Sequence, residues 1–152
     1  MIIRGFNLFF FILIILIFSG CARQPEPIEY GNDVCDFCRM NITDNKFAAE
    51  LITKKGKVYE FDSIECLFQF KQVAIEDKDN IHSEWVNDFS NPGVLINLKS
   101  SFFLKSDVFR SPMDMNVLSF SSEEKLNEIK MQYGGEVLNY YQVENLAISE
   151  NH

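Results

Sequence analysis

The chain has 152 residues, a net charge of −8 and a sequence pI of about 4.7. This length allows one ordinary domain or two very small ones. An acidic chain repels phosphate groups, so the composition argues against nucleic-acid binding.

Residues 1–20 resemble the signal peptide of a bacterial lipoprotein. Arg4 supplies a short positive region, an uncharged apolar run follows, and the letters FSG precede Cys21 as in a lipobox. The run is shorter than the about 20 apolar residues of a spanning helix. The resemblance implies cleavage before Cys21 and a lipid on its sulfur, with the mature chain facing the periplasm. Ala22 favours the outer membrane over the inner membrane, and an uncleaved short anchor is the alternative.

Residues 21–33 and 34–90 predict a flexible tether and a first ββαβ unit. The tether segment is rich in proline and polar groups. In the unit, two strands flank a KKG turn at Gly56, and the segment DSIECLFQFKQVAI predicts a helix. Asp62 and Glu65 form a capping-box pattern at its start. EWVNDF then alternates as a strand does, which completes the unit.

Residues 91–143 predict a second ββαβ unit, which begins at an NPG break. VLINLKSSFFLKS, NVLSF and EVLNYYQV supply strands, and SSEEKLNEIKMQY predicts a helix with a capping box at Ser121 and a C-cap at Gly134. The junctions YEFDSIE and LSFSSEE match, which indicates an internal repeat or a chance similarity of two turns. Residues 144–152 predict a loose tail. The predicted fold is α+β, with two small ββαβ units packed together.

Apart from Cys21, the chain has three cysteines. An odd number in an oxidising compartment leaves one thiol outside any disulfide framework, whereas a metal site needs no pairs. The motif CDFC can form a disulfide, a redox pair or half of a zinc site. A zinc site would have to use Cys35, Cys38, Cys66 and His82. A redox pair normally lies at a helix N-terminus, and no helical run follows CDFCRMNIT.

The methionines raise a further hypothesis, a soft-metal site. If residues 38–42 are extended, the sulfurs of Cys38 and Met40 lie on the same side of the chain, and this soft pair of ligands selects Cu(I). Met113 and Met115 recur at the same spacing in a polar loop, where Met113 is a candidate remote ligand. Core packing is the alternative reading for the methionines.

The remaining residues give no catalytic constellation. Cys66, in the first turn of the predicted helix, is either a thiolate favoured by the helix N-terminus or a small buried hydrophobe. His82 lies in a charged loop and is expected to be solvated. The chain has no Ser/His/Asp set and no glycine-rich phosphate loop. The sequence therefore indicates a binding protein rather than an enzyme.

Together, these segments resemble the NosL family of periplasm-facing lipoproteins, which are accessory proteins of nitrous oxide reductase. The family element C-x-x-C-G-M-x-[IV] appears here as CDFCRMNI, and F-D-D-x-x-C appears as FDSIEC. The Trp-containing strand and the later motifs appear as EWVNDF, SPM, FSSEE and YGGEV. Arg39 stands where the family usually has glycine, which puts a bulky charge beside the ligands. The resemblance also implies a fold of two ββαβ units.

The resemblance implies Cu(I) binding and delivery of copper to nitrous oxide reductase or to its ABC-transporter assembly machinery. Cys38, Met40 and Met113 match the sulfur ligands of the family, and Cys35 and Cys66 are expected as auxiliary or alternate ligands. One competing hypothesis is a thiol–disulfide redox protein that uses Cys35 and Cys38. The other is a structural lipoprotein in which the same pair forms a disulfide.

Overall fold

The computed structural model describes residues 24–75 and 77–149. The expected signal peptide, residues 1–20, and the lipidation site Cys21 lie outside the described residues. The described chain folds into two antiparallel sheets and three α-helices, so the predicted α+β fold is confirmed. Within these ranges, no helix is long and apolar enough to cross a bilayer.

The first sheet has four strands, in the spatial order β2-β1-β3-β4. Its strands are β1 (Ala49–Thr53), β2 (Val58–Phe61), β3 (Ile81–Asp88) and β4 (Asn91–Asn97). Helix α1 (Ile64–Ala74) and a 3₁₀ turn (Lys78–Asn80) connect β2 to β3. Gly56 adopts a φ of 84° in the β1–β2 turn, a conformation that favours glycine and fits the predicted hairpin.

The second sheet has three strands, in the order β6-β5-β7. Its strands are β5 (Phe102–Lys105), β6 (Val117–Phe120) and β7 (Glu136–Leu138). A 3₁₀ turn (Leu98–Ser100) precedes β5, and helix α2 (Glu123–Tyr133) connects β6 to β7. Gly134 forms its C-cap, as predicted, with its N–H donating to the carbonyl of Lys130.

The two units repeat one topology, which supports the predicted internal repeat. In each, the first strand is central and pairs antiparallel with the second and third strands. The corresponding helices begin after Ser63 and Ser122, whose side chains accept hydrogen bonds from the backbone N–H three residues later. Each observed cap lies one residue later than the predicted caps, Asp62 and Ser121, and has an extended backbone.

The predicted boundary between the units at residues 90 and 91 does not coincide with the boundary between the sheets. β4 pairs with β3, with Trp85 opposite Asn97, so it extends the first sheet. The NPG segment therefore begins the second strand of a hairpin. A shift of register between Asn87 and Asp88 accommodates this irregular start.

The C-terminal part also differs from the prediction. Residues 140–149 form helix α3 (Tyr140–Ser149), where the sequence predicted the end of a strand and a loose tail. Val143 and Ala147, one turn apart, are fully buried. The side-chain amide of Gln69 on α1 donates to the carbonyl of Ala147 at 3.1 Å. This short apolar stripe and its contacts hold α3 against α1.

Part of the predicted tether is docked on the first sheet. The backbone N–H of Glu26 lies 3.2 and 3.0 Å from the two carboxylate oxygens of Glu50. Ile28 is buried in the main core, which lies between the two sheets and α1. The described part of this segment is therefore attached to the folded unit from Glu26 onward.

Candidate metal centre

The CDFC motif lies in a small hairpin that precedes β1. The N–H of Gly31 donates to the carbonyl of Ile42 at 2.7 Å, and the N–H of Cys35 donates to the carbonyl of Met40 at 2.8 Å. The N–H of Arg39 donates to the carbonyl of Cys35 at 3.1 Å, which closes the loop. Backbone bonds thus set the geometry of the loop that carries Cys35 and Cys38.

Arg39 has a left-handed backbone, with a φ of 66°. Non-glycine residues adopt this conformation at a cost, which accounts for the glycine in the family pattern. The premise that residues 38–42 are extended therefore fails at Arg39, and the same-side argument for Cys38 and Met40 does not apply. The Arg39 side chain is 74% exposed and lies 3.9 Å from the Asp36 carboxylate.

The helix α1 brings a third cysteine to this loop. Cys66 is in the first turn, and its N–H donates to the Ser63 hydroxyl at 3.4 Å. The cysteine hairpin is tied to β2, the strand that leads into α1, because the N–H of Asp36 donates to the carbonyl of Glu60 at 2.8 Å. The junction between β2 and α1 therefore lies against the cysteine loop.

Four side chains form the cluster that we call the thiol cluster: Cys35, Cys38, Asp62 and Cys66. Their ligand atoms all lie within 4.8 Å of one another. Cys35 and Cys66 are fully buried and Cys38 is half-buried. The three thiols, which are the cysteines of the described ranges, are free. A single metal ion can therefore reach all three sulfurs.

The protonation of the thiols differs from one cysteine to the next. A hydrogen bond with Cys66, aided by backbone N–H groups of residues 37, 38 and 62, lowers the pKa of Cys35 to about 6. The same hydrogen bond, together with burial, raises the pKa of Cys66. Burial raises the pKa of Cys38 to about 11. These shifts favour a thiolate at Cys35 and thiols at Cys38 and Cys66, so metal binding at all three sulfurs releases protons.

Asp62 is the member of the cluster that the sequence analysis missed. It is 2% exposed, and its Oδ2 accepts a hydrogen bond from the Cys38 thiol at 3.4 Å. The sequence analysis interpreted Asp62 as a helix cap and therefore did not consider it as a possible metal ligand. The spacing of four residues between Asp62 and Cys66 could have indicated that the two side chains lie close together. His82, the fourth ligand of the zinc reading, is exposed on β3 and is not a member of the cluster.

The methionine loop is held against the same helix turn. Glu65, the neighbour of Cys66, accepts hydrogen bonds at Oε1 from the Ser111 hydroxyl at 2.7 Å and from the Met115 N–H at 3.1 Å. Met115 is fully buried, so the core-packing reading holds for it, whereas Met113 is half-buried against the main core. Glu65 therefore fixes the loop that carries Met113.

Met40 contacts the thiol cluster through its backbone, since its N–H donates to the sulfur of Cys38. The residue is 46% exposed. The structure therefore brings together Cys35, Cys38 and Cys66, with the two predicted auxiliary ligands in the buried part. Ligation by Met40 and Met113 stays a prediction.

The sequence model of the NosL family matches residues 28–148. The chain belongs to the NosL family. Its structure is also similar to the crystal structure of the copper chaperone NosL from Shewanella denitrificans, with a TM-score of 0.66 and 26% identity. That similarity covers 79% of this chain and 95% of the other. No curated protein sequence matches the chain.

The NosL match confirms the resemblance inferred from the sequence motifs. It begins at Ile28 in the docked segment and ends at Ile148 in α3. The match therefore includes residues 28–33 of the predicted tether and residues 144–148 of the predicted tail.

Proposed function

We propose that the protein binds Cu(I) as cargo and delivers it for the maturation of nitrous oxide reductase. The convergence of three free thiols within 4.8 Å carries this proposal. Thiolate and thioether sulfurs are soft ligands that suit Cu(I). The copper chaperone from Shewanella denitrificans, which has the same fold, supports the assignment.

The graded exposure of the sulfurs suits a carrier that must both hold and release its cargo. Cys35 and Cys66 are fully buried, so water has little access to copper bound between them. Cys38 is half-buried and Met40 is 46% exposed. An incoming ligand of a partner can reach copper from this side and displace one sulfur at a time. In this scheme, Met40 and Met113 complete the copper site at its outer edge.

The burial and pKa values weigh against the thiol–disulfide alternative. A thiol that starts disulfide exchange must be both ionised and accessible. Cys35 has a lowered pKa but is fully buried, whereas Cys38 is accessible but has a pKa raised to about 11. Neither cysteine combines the two properties, so a copper carrier without enzymatic activity is the better interpretation.

We propose the location from the lipobox and the partners from the resemblance to the NosL family. The lipobox supports lipidation at Cys21 and attachment to a membrane on its periplasmic side, and Ala22 favours the outer membrane over the inner membrane. Nitrous oxide reductase itself, or its ABC-transporter assembly machinery, then receives the copper. The lipid anchor raises the effective concentration of the carrier near partners at the membrane.

A Cu(I) titration tests the proposal. Purified protein with Cys21→Ser would be titrated anaerobically against a chromophoric Cu(I) chelator, and we expect about one Cu(I) per chain. Cys38→Ser and the double substitution Met40→Ala with Met113→Ala should each lose the ability to compete with the chelator. Met131, which is 82% exposed on α2, gives the control substitution Met131→Ala.

Three results would count against parts of the proposal. Absence of Cu(I) binding would refute it, and unchanged affinity in the double methionine variant would remove Met40 and Met113 from the ligand set. Rapid turnover in a disulfide-exchange assay would favour the redox alternative. Transfer of copper from the loaded protein to copper-free nitrous oxide reductase tests the recipient.

A further inference from the structure

The turn between β1 and β2 carries a concentrated positive charge. Lys54, Lys55 and Lys57 are three of its four residues, and all three are exposed on a chain whose net charge is −8. The N–H of Lys54 donates to the carbonyl of Asn80 at 2.8 Å, which fixes the turn against the next loop. That loop contains acidic residues as well as Lys78, so the positive surface is confined to the turn.

The other end of β2 lies in a negatively charged region. Burial raises the pKa of Glu60 to about 7, and the charges of Asp33 and Asp36 in the cysteine hairpin add to this rise. Asp62 of the thiol cluster follows four residues after Val58, where β2 begins. At about 3.3 Å per residue, the strand separates the thiol cluster from the turn by roughly 13 Å. Lysines thus lie at one end of this strand and carboxylates at the other.

The predicted lipidation site is close to the lysine turn. Gln24 lines a cavity of about 210 Å³ together with Gly56 and Val58, so the start of the described chain lies beside the turn. Cys21 precedes Gln24 by three residues, and three residues span at most about 11 Å. A lipid on Cys21 would therefore bring the bilayer surface close to the lysine turn.

An anionic bilayer would act on the two ends of β2 in opposite directions. Its head groups attract lysines that lie within a Debye length, and they repel carboxylates over the same range. The anchor supplies proximity, and the uneven charge of the first sheet supplies a preferred orientation.

We infer that the lysine turn, residues 54–57, is a contact surface for anionic lipid head groups, and that the first sheet stands on the bilayer with the thiol cluster directed away from it. This inference rests on the proposed lipidation of Cys21 and does not depend on copper binding. In this orientation the bilayer does not cover Cys38, the half-buried cysteine of the cluster, so a partner can approach it from the periplasmic side.

Acetylation of lysines on vesicles tests this inference. The lipidated protein would be extracted from membranes, its lipid verified by mass spectrometry, and the protein reconstituted into vesicles of phosphatidylcholine with or without phosphatidylglycerol. Peptide mass spectrometry then gives the rate of acetylation at each exposed lysine. We expect the three lysines of the turn to react about 5-fold or more slowly on the anionic vesicles, and high salt should abolish the difference.

Exposed lysines elsewhere in the chain provide the controls. Lys46, beyond the cysteine hairpin, and Lys130, on α2, should react at the same rate on both kinds of vesicle. Lys55→Gln removes one of the three contacts and should restore most of the rate at Lys54 and Lys57. Lys130→Gln makes the same change of charge outside the turn, and should leave the lysines of the turn slow.

The outcomes separate this inference from the proposed function. Equal rates on the two kinds of vesicle overturn it, as does slowing that extends equally to Lys46 and Lys130 or that persists at high salt. A mature chain without a lipid on Cys21 overturns the inference and the proposed location together, and leaves the copper function standing. If the turn is protected but the protein binds no Cu(I), the copper function fails and the inference stands.

Discussion

At the junction between the second strand and the helix, the first unit has Asp62 and Cys66 where the second unit has Ser121 and Lys125. These positions correspond because β2 ends at Phe61 and β6 ends at Phe120, each one residue before the position compared. The shared fold thus supplies a helix start with a serine cap in both units. The two units differ there in two residues, and the first unit has the aspartate and the cysteine of the thiol cluster.

The surroundings of the two helices differ as well. Residues 64–71 of α1 are all buried, whereas Leu126 is the buried residue of α2. The reason is that α3 covers the outer side of α1, and Lys71 forms an ion pair with Glu84 beneath it. The position of Cys66 is therefore kept away from water, whereas the corresponding Lys125 is exposed. The repeat shows that burial, as well as residue type, distinguishes the two helix starts.

Removal of the cysteine from the first helix is expected to have the largest effect. Cys66→Ser should lower the Cu(I) affinity by more than about 100-fold. Loss of a residue that only hydrogen-bonds to a metal ligand already costs about 10–100-fold, and loss of the ligand itself should cost more. The corresponding Lys125→Ser in the second unit should leave affinity unchanged. Competition against a Cu(I) chelator measures both. Equal affinities for the two variants would mean that Cys66 only packs.

The glutamates that follow the two caps give the next comparison. Glu65→Ala leaves the Ser111 hydroxyl and the Met115 N–H buried without their acceptor, and should destabilise the fold by about 2 kcal/mol. Glu124 is exposed, so Glu124→Ala should change stability by less than about 0.5 kcal/mol. Urea unfolding measures both. Glu65→Gln, which keeps the acceptor oxygen, should recover most of the loss, and failure to do so would contradict the hydrogen-bond explanation.

The central strands differ at Glu50, whose counterpart in the second unit is Phe103. Burial raises the pKa of Glu50 to about 7. The folded protein therefore binds this proton more tightly than the unfolded chain, and the stabilising contribution is present below about pH 4.5 and lost as the pH rises through 7.

Glu50→Gln should remove this pH dependence and make the protein more stable at pH 8 by roughly 1–2 kcal/mol. Thermal unfolding at pH 5 and pH 8 measures the change. Glu60, whose pKa burial raises to about 7, contributes a residual slope. An identical pH slope in the variant and the unsubstituted protein would show that Glu50 does not titrate in this range.

The two caps should give the smallest effects. Ser63→Ala should cost about 1 kcal/mol of folding free energy, since the Cys66 N–H loses its acceptor in a buried helix turn. Ser122→Ala should cost about 0.5 kcal/mol, because the N–H of Lys125 can bond to water instead. A larger loss of folding free energy for Ser122→Ala than for Ser63→Ala would contradict the explanation that burial of the helix start sets the cost.

Local signals in the sequence predicted much of the fold. Gly56 and Gly134 marked a hairpin and a helix end because each needs a conformation that favours glycine. The helix α3 was missed because its first residues also fit the end of a strand, and its stability comes from packing on α1. Asp62 was missed for a similar reason: its place in the thiol cluster depends on a loop more than 20 residues away, which no local pattern reveals. Arg39 occupies the position where the family pattern has glycine. Its backbone is left-handed, which an arginine does not signal, so the prediction of an extended segment over residues 38–42 was wrong.

The bond between Glu26 and Glu50 has a consequence for the reach of the molecule. Five residue steps separate Cys21 from Glu26, and a fully extended chain of that length spans at most about 18 Å. If Cys21 carries a lipid, the first unit is confined to a thin layer next to the bilayer. Its search for partners is then nearly two-dimensional, and recipients that stand far from the membrane surface are out of range.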